Sequence, residues 1–232
     1  MARLDRLVLF DVDGTLIKQW SGAPSQSGRL IKKYFNLDSS KIRLEGGGMT
    51  DRQIIVEKLK RLGLENPDAD PRLAAALLGY TSITKEIMDE FGIEQVPGAE
   101  RLVKRLIDEG ISVGLLTGNT PGRARIKLEA VGLWNYFKIG AFGDATTKRS
   151  ELVPIALRKA KEKTGISFRK SCVFILGDTV RDIMCAREAG TKSIAVATGK
   201  QTFDALAAES PDFVFRDFSN IEAMLLAVIG KM

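Results

Sequence analysis

Two apolar patterns alternate along this chain. Short, nearly continuous apolar runs fall at Leu7–Phe10, Ile111–Leu116 and Cys172–Leu176, each with the length and density of a strand buried on both faces. Between them, apolar residues recur at helical spacing. Arg29–Phe35 and Asp51–Leu62 read as amphipathic helices, the second with Ile54, Ile55, Leu59 and Leu62 on one face. Asp70-Pro71 offers an N-cap followed by proline at the first helical position, opening a long helix from about Arg72 to Phe91. Nothing between Lys18 and Gly92 reads as strand, so an all-helical insert follows the first strand.

After Val96-Pro97-Gly98 the pattern turns to alternating strands and helices. The spacing predicts a helix over Ala99–Glu109 stopped by Gly110, the strand to Leu116, a helix after Pro121 and a short strand at Ile139–Phe142. A helix over Ser150–Lys163, the strand to Leu176, a helix over Asp182–Ala189 and a strand at Ser193–Ala197 follow. Val214 marks a last edge strand, and Ile221–Ile229 a terminal helix. Such alternation argues an α/β fold with a parallel sheet. The expected division is a core of residues 1–17 and 93–232 with a helical cap of residues 18–92, joined by short linkers.

Composition narrows the possibilities. The chain has 232 residues, 44% hydrophobic and 28% charged, which suits one sizeable core with a small insert. No apolar run approaches the length of a membrane span, and no secretion signal is expected at the N-terminus. Cys172 and Cys185 are too few and wrongly spaced for a disulfide framework or zinc site, so a reducing, cytoplasmic setting is expected. Histidine is absent, which removes His-dependent triads and leaves acid–base work to carboxylates. The net charge of +6 is modest and is met mostly by solvated helix faces such as Arg29/Lys32/Lys33 and Arg158/Lys159/Lys161/Lys163. Nucleic acid is therefore not an expected partner, and no oligomeric state can be read from the chain. Gly199-Lys200 is followed by Gln201, so no phosphate-binding Gly-x-x-x-x-Gly-Lys loop is present, and no Gly-x-Gly-x-x-Gly supports a dinucleotide.

The candidate chemistry begins at the end of the first strand. Leu4–Ile17 carries Asp11-Val12-Asp13-Gly14-Thr15, two carboxylates placed where open α/β sheets bind ligands. A calcium loop counted from Asp11 would need Gly at position 16 and an acid at position 22, where Leu16 and Gly22 stand. Asp11 can instead serve as a nucleophile, with Asp13 protonating a leaving group and then activating water. Thr117-Gly118-Asn119 closes the second buried strand. Its hydroxyl and backbone N–H groups could hold phosphate oxygens, or form an ordinary turn and N-cap. Gly177-Asp178-Thr179-Val180-Arg181-Asp182 closes another strand with an acid and a second acid four residues on.

These strings, in this order, resemble motifs I, II and IV of the haloacid dehalogenase superfamily of aspartate-nucleophile phosphohydrolases, and most resemble its phosphoglycolate-phosphatase-like members. The resemblance covers Leu4–Ile17 and about Val96–Ala197 well and the insert only loosely. It implies a Rossmann-like core with a C1-type helical cap. It also implies Mg²⁺ held by Asp11, the backbone carbonyl of Asp13 and Asp178, with Asp182 either ligating or orienting the metal's waters. Motif III, a cation, falls at Lys148 or Arg149. Arg149-Ser150-Glu151-Leu152 fits an Arg-x-Glu-Leu variant, and Lys148 lacks the proline that follows lysine in the common form. The implied activity is hydrolysis of small phosphorylated metabolites through an aspartyl-phosphate. A phosphomutase of the β-phosphoglucomutase type is the catalytic alternative, and a non-catalytic phosphate- or nucleic-acid-binding protein is the alternative of a different class. Finally, Glu45–Asp51 holds three consecutive glycines before a helix, and Gly48-Met49-Thr50-Asp51 resembles a cap loop that faces the active site. Thr50 or Asp51 could equally be an N-cap. On the functional reading, substitutions at Met49 or Thr50 shift relative kcat/KM among small phosphate esters with little change in stability.

Overall fold

The computed structural model describes residues 5–44 and 47–230. Leu4, Glu45 and Gly46, which belong to the strings singled out above, lie outside the described residues. Six parallel strands form one sheet in the order β3-β2-β1-β4-β5-β6, where β1 is Leu7–Phe10, β2 Ser112–Thr117, β3 Gly140–Phe142, β4 Val173–Gly177, β5 Lys192–Val196 and β6 Phe213–Phe215. β1 sits at the centre, with Phe10 opposite both Leu115 and Leu176.

The unbroken apolar run of β1 follows from burial on both faces. Val8 and Phe10 pack with α4 (Ala99–Asp108) and α9 (Ile221–Ile229). Leu7 and Leu9 pack with α6 (Leu152–Thr164) and α7 (Val180–Ala189). Side chains two apart share a face of a strand, so each pair serves one layer of helices.

Between β1 and β2 stand α1 (Gln26–Phe35), α2 (Asp51–Arg61) and α3 (Arg72–Phe91), which share a separate apolar cluster of Leu30, Ile31, Ile55, Leu59, Leu77 and Tyr80, among others. α3 also packs on α5 (Pro121–Ala130), which opens directly after β2. The two connections to this helical unit run side by side. Ile17 and Gln95 form an antiparallel bridge, Lys18 N–H bonds Glu94 O at 2.9 Å, and Trp20 Nε1 donates to Gly92 O at 2.6 Å.

Boundaries differ from the pattern-based expectations in ways that have causes. α1 starts at Gln26, because the Ser25 hydroxyl accepts from Gly28 N–H and caps it. α3 keeps its expected span, Arg72–Phe91, and the Asp70 carboxylate accepts the Arg72 N–H at 2.9 Å. α7 starts at Val180 rather than Asp182, because Thr179 and Asp182 close a reciprocal capping box. A short helix, α8 (Phe203–Ala208), was not expected from the pattern.

Candidate active site

β1 delivers Asp11 to the carboxyl edge of the sheet. The Asp11 N–H still bonds Leu176 O at 2.9 Å, so the residue is fixed beside β4 before the chain turns. Val12 O then accepts N–H groups from Leu16 and Ile17, at 2.9 and 3.0 Å, closing a tight loop. Gly14 sits in it at φ +86°, and a Cβ there would lie 2.3 Å from Asp178 Oδ2. Only glycine fits both the dihedral and the space. Thr15 Oγ1 donates to Asp178 Oδ1 at 3.1 Å, tying the loop to the end of β4.

Asp11, Asp178 and Asp182 are all buried, and each offers an oxygen within 4.8 Å of the others. Arg149 is set beside them: its Nη2 lies 3.0 Å from Asp11 Oδ1 and 2.6 Å from Asp182 Oδ1. Those two carboxylates keep it charged against the cost of burial. One guanidinium does not balance three carboxylates. Burial, resisted by Arg149 but aided by Asp182, raises the Asp11 pKa to about 6. Burial together with Asp11 and Asp182 raises Asp178 to about 8. Crowded oxygen-only donors that are hard to ionise without a further cation fit a hard divalent metal. The Asp13 carbonyl adjoins the set, since Gln19 Nε2 donates to both Asp13 O and Asp178 Oδ2, each at 3.3 Å. Asp182 serves the helix as well as the cluster: its Oδ2 accepts from Thr179 N–H and Oγ1.

Asp13 has a different environment. Lys127, with no exposed side-chain surface, reaches from α5 to both its oxygens, at 2.7 and 2.8 Å. Asn119 Nδ2 donates to Asp13 Oδ2 and to Thr117 Oγ1, both at 2.8 Å, while Asn119 Oδ1 accepts from Lys127 at 2.9 Å. Burial opposes ionisation of Asp13. The charges of Lys127 and Arg123 and the hydrogen bonds outweigh it and pull the pKa to about 2. Burial and Arg123 in turn lower Lys127 to about 8, against the pull of Asp13. Asp11 and Asp13 are thus one residue apart in sequence and displaced in opposite directions.

The cavity over these groups has a volume of about 330 Å³ and is lined by Asp11, Asp13, Trp20, Met49, Tyr80 and Arg123, among others. Trp20 lies over Lys127, with Nζ 5.2 Å from a ring centroid, and Tyr80 lies under Arg123 at 5.0 Å.

The structure brings Asp11, Asp13, Thr117, Asn119, Arg149, Asp178 and Asp182 together. Lys148 stands apart: its side chain is 63% exposed and pairs with Glu188 at 3.5 Å. Gly118 is where the helical unit meets the sheet edge. A Cβ there would fall 2.1 Å from Met49 O, and Gly118 O accepts the Asp51 N–H at 2.7 Å. Within the 48–51 loop, Gly48 and Met49 line the cavity and Gly48 O accepts from Arg149 at 3.0 Å. Thr50 does not line it. Its hydroxyl accepts from Gln53 N–H as the α2 N-cap and donates to Thr146 O at 2.8 Å, so it holds helix and sheet edge together. Asp51 accepts from Thr120 N–H at 2.8 Å and from Arg123 at 2.5 Å.

Lys127, Arg123, Trp20 and Gln19 were not singled out from the sequence. Lysine and arginine in a helical pattern read as solvent-facing. The available signal was Arg123 and Lys127 one turn apart on a helix opening after Thr117-Gly118-Asn119.

Comparison with known proteins places this arrangement. The sequence profile of the family described as haloacid dehalogenase-like hydrolase matches residues 8–196. The "Probable phosphatase IndB" of Dickeya dadantii is 28% identical over 219 residues, 93% of this chain and 91% of that relative. A phosphoglycolate phosphatase of Pseudomonas putida is 26% identical over 220 residues, covering 92% and 77% of the two chains. A crystal structure of a hydrolase from Pseudomonas syringae shares the fold, with a TM-score of 0.66, 20% identity, and coverage of 95% and 97%.

Proposed function

Because the chain belongs to the haloacid dehalogenase-like hydrolase family, we propose that it hydrolyses small phosphate monoesters through a phosphorylated Asp11. The observation that carries this is the pair of opposed carboxyls. Asp11 is buried against Arg149 and a cluster suited to a cation, and Asp13 is hydrogen-bonded to a buried lysine.

Asp11, Asp178 and the Asp13 carbonyl would hold Mg²⁺, with Asp182 oriented behind them. The ion supplies charge that favours ionised Asp11 and neutralises phosphoryl oxygens. Asp11 attacks phosphorus and the bond to the ester oxygen breaks. Asp13, drawing on the Lys127 ammonium in contact with it, passes a proton to the departing alkoxide. Asp13 then takes a proton from water as that water attacks phosphorus, which releases inorganic phosphate and restores Asp11, and the proton passes back to Lys127. Arg149 and the Thr117 hydroxyl bind the equatorial oxygens, and no stage requires a histidine. The helical unit over the cavity excludes bulk water and limits the substrate to a small metabolite. The two free cysteines suit a reducing, cytoplasmic setting.

The test is Asp11→Asn, since an amide is a poor nucleophile. Phosphate release from an ester panel with Mg²⁺ should be abolished while the circular dichroism spectrum is unchanged. Wild-type turnover by the folded variant overturns the mechanism.

A further inference from the structure

A second cavity, of about 290 Å³, adjoins the catalytic one. Ser27, Met49 and Ile54 line both and form the wall between them. The remainder is lined by Ser25, Gly28, Ser39, Ser40, Arg43 and Lys58, among others. These residues come from the start of α1, the segment after it, and the middle of α2.

Lys58 is only 6% exposed, yet among the described residues no carboxylate lies within 4 Å of its ammonium. Its hydrogen-bond partner is the Ser25 hydroxyl, at 3.3 Å. Burial and the nearby charge of Arg43 both depress its pKa. Arg43 is exposed at the rim and has no ion pair among the described residues, although its carbonyl accepts from Arg61. Buried lysines are ordinarily paired with acids, and two cations set together without one leave a local excess of positive charge. The first turn of α1 contains no acidic residue, so the partial positive charge of that helix end adds to the excess. Ser39 Oγ is buried in the lining and has no hydrogen-bond partner among the described residues, and buried hydroxyls are normally satisfied.

We propose that this cavity is a second oxyanion site, binding a phosphate or carboxylate group through Lys58 and Arg43, with the Ser39 hydroxyl as a donor. Two sources share that chemistry. One is a second anionic group on the ester held in the catalytic cavity, reaching past Met49. The other is a separate small anion. The first source rests on the phosphatase reading and the second does not; occupancy by phosphate is measured without turnover, so failure of the site and failure of that reading are distinguishable.

The experiment is calorimetric titration of inorganic phosphate into the full chain in the presence of chelator, with wild type, Lys58→Met, Lys58→Arg and Ser39→Ala compared. Lys58→Met should weaken binding at least tenfold, Ser39→Ala should weaken it severalfold, and Lys58→Arg should retain it. Should Lys58→Met not fold, the Ser39→Ala and Lys58→Arg isotherms carry the test. An absence of phosphate binding by wild type, or affinities unaffected by Ser39→Ala and by loss of the Lys58 charge, overturns the proposal. Kinetics separate the two sources. If the ester carries the second anion, Lys58→Met lowers kcat/KM for doubly anionic esters and spares neutral-alcohol esters. If the anion is separate, both ester classes are spared while phosphate affinity is still lost.

Discussion

Asp13 can give up a proton only after acquiring one, and at neutral pH its ordinary state here is ionised, with a pKa near 2. On the proposed mechanism Lys127, lowered to about 8 and in contact at 2.7 Å, is the donor that would supply it. The consequence is a prediction for Lys127→Met. Without the ammonium, the proton for the leaving group must sit on Asp13 itself, so the alkaline limb of kcat/KM against pH moves downward, from the Lys127 value of about 8 toward the carboxyl range. The turnover number should fall about a hundredfold, the scale of a lost general acid–base component. Stability should also fall by about 1–3 kcal/mol, since charge-assisted hydrogen bonds to the part-buried Asp13 are lost while Asn119 still donates to it. A pH–rate profile and a denaturant titration check both; an unshifted profile would remove Lys127 from the proton path. Residue identity made Asp11, Asp13 and Asp178 legible, because acids at strand ends have few other uses. The same logic failed for Lys127, whose burial depends on how α5 packs and not on its neighbours in sequence.

Among the elements, the start of α2 is the most informative. The sequence left open whether Gly48–Asp51 contacts substrate or merely begins a helix, and the structure sets Met49 on the cavity wall and Thr50 at the helix cap. Met49 lines the catalytic cavity. Thr50 caps the helix and donates to Thr146 O. Met49→Ala should therefore reorder kcat/KM within a panel of phosphate esters, while Thr50→Val should lower stability by about 1–2 kcal/mol and leave the order of preference intact. Matched substrate panels and melting curves for both variants decide it, and a reordered preference in Thr50→Val would contradict the division. The buried strands were legible as short dense apolar runs, and the 20-residue α3 because its period is sustained. The six-residue α8 was not, since fewer than two turns cannot establish a period. The second cavity left no trace in sequence, because three separate segments build it.

At the scale of the whole molecule, the crowded carboxylates couple metal, proton and fold. A carboxyl raised from 3.8 to about 8, as Asp178 is, keeps its proton in the folded chain where the unfolded chain has already lost it. Stability of the metal-free protein therefore falls as the pH rises from about 4 to 8. Metal bound to the ionised cluster reverses the loss, by about 2.7 kcal/mol at a hundredfold excess over Kd. Thermal melts with chelator or with Mg²⁺ should show a larger metal-dependent rise in Tm at pH 8 than at pH 5. An equal rise at both would mean that the cluster does not take up the ion in competition with protons.

The side-by-side linkers carry a consequence for how such a protein can be rebuilt. Ile17 and Gln95 are bridged, so the chain departs from the sheet and rejoins it at adjacent points. The 77 residues from 18 to 94 are thus expected to be exchangeable as a cassette on a single stem. A chimera that receives a foreign cassette on the Ile17–Gln95 stem keeps the ends of β1, β2 and β4 in register, so the reacting carboxylates are inherited unchanged. The Lys127–Trp20 stack and the Arg123–Asp51 pair are cut and must be matched by the donor. On the proposed reading substrate choice would be exchanged as one block, and a donor must match both α5 and the sheet edge at Gly118, Thr146 and Arg149.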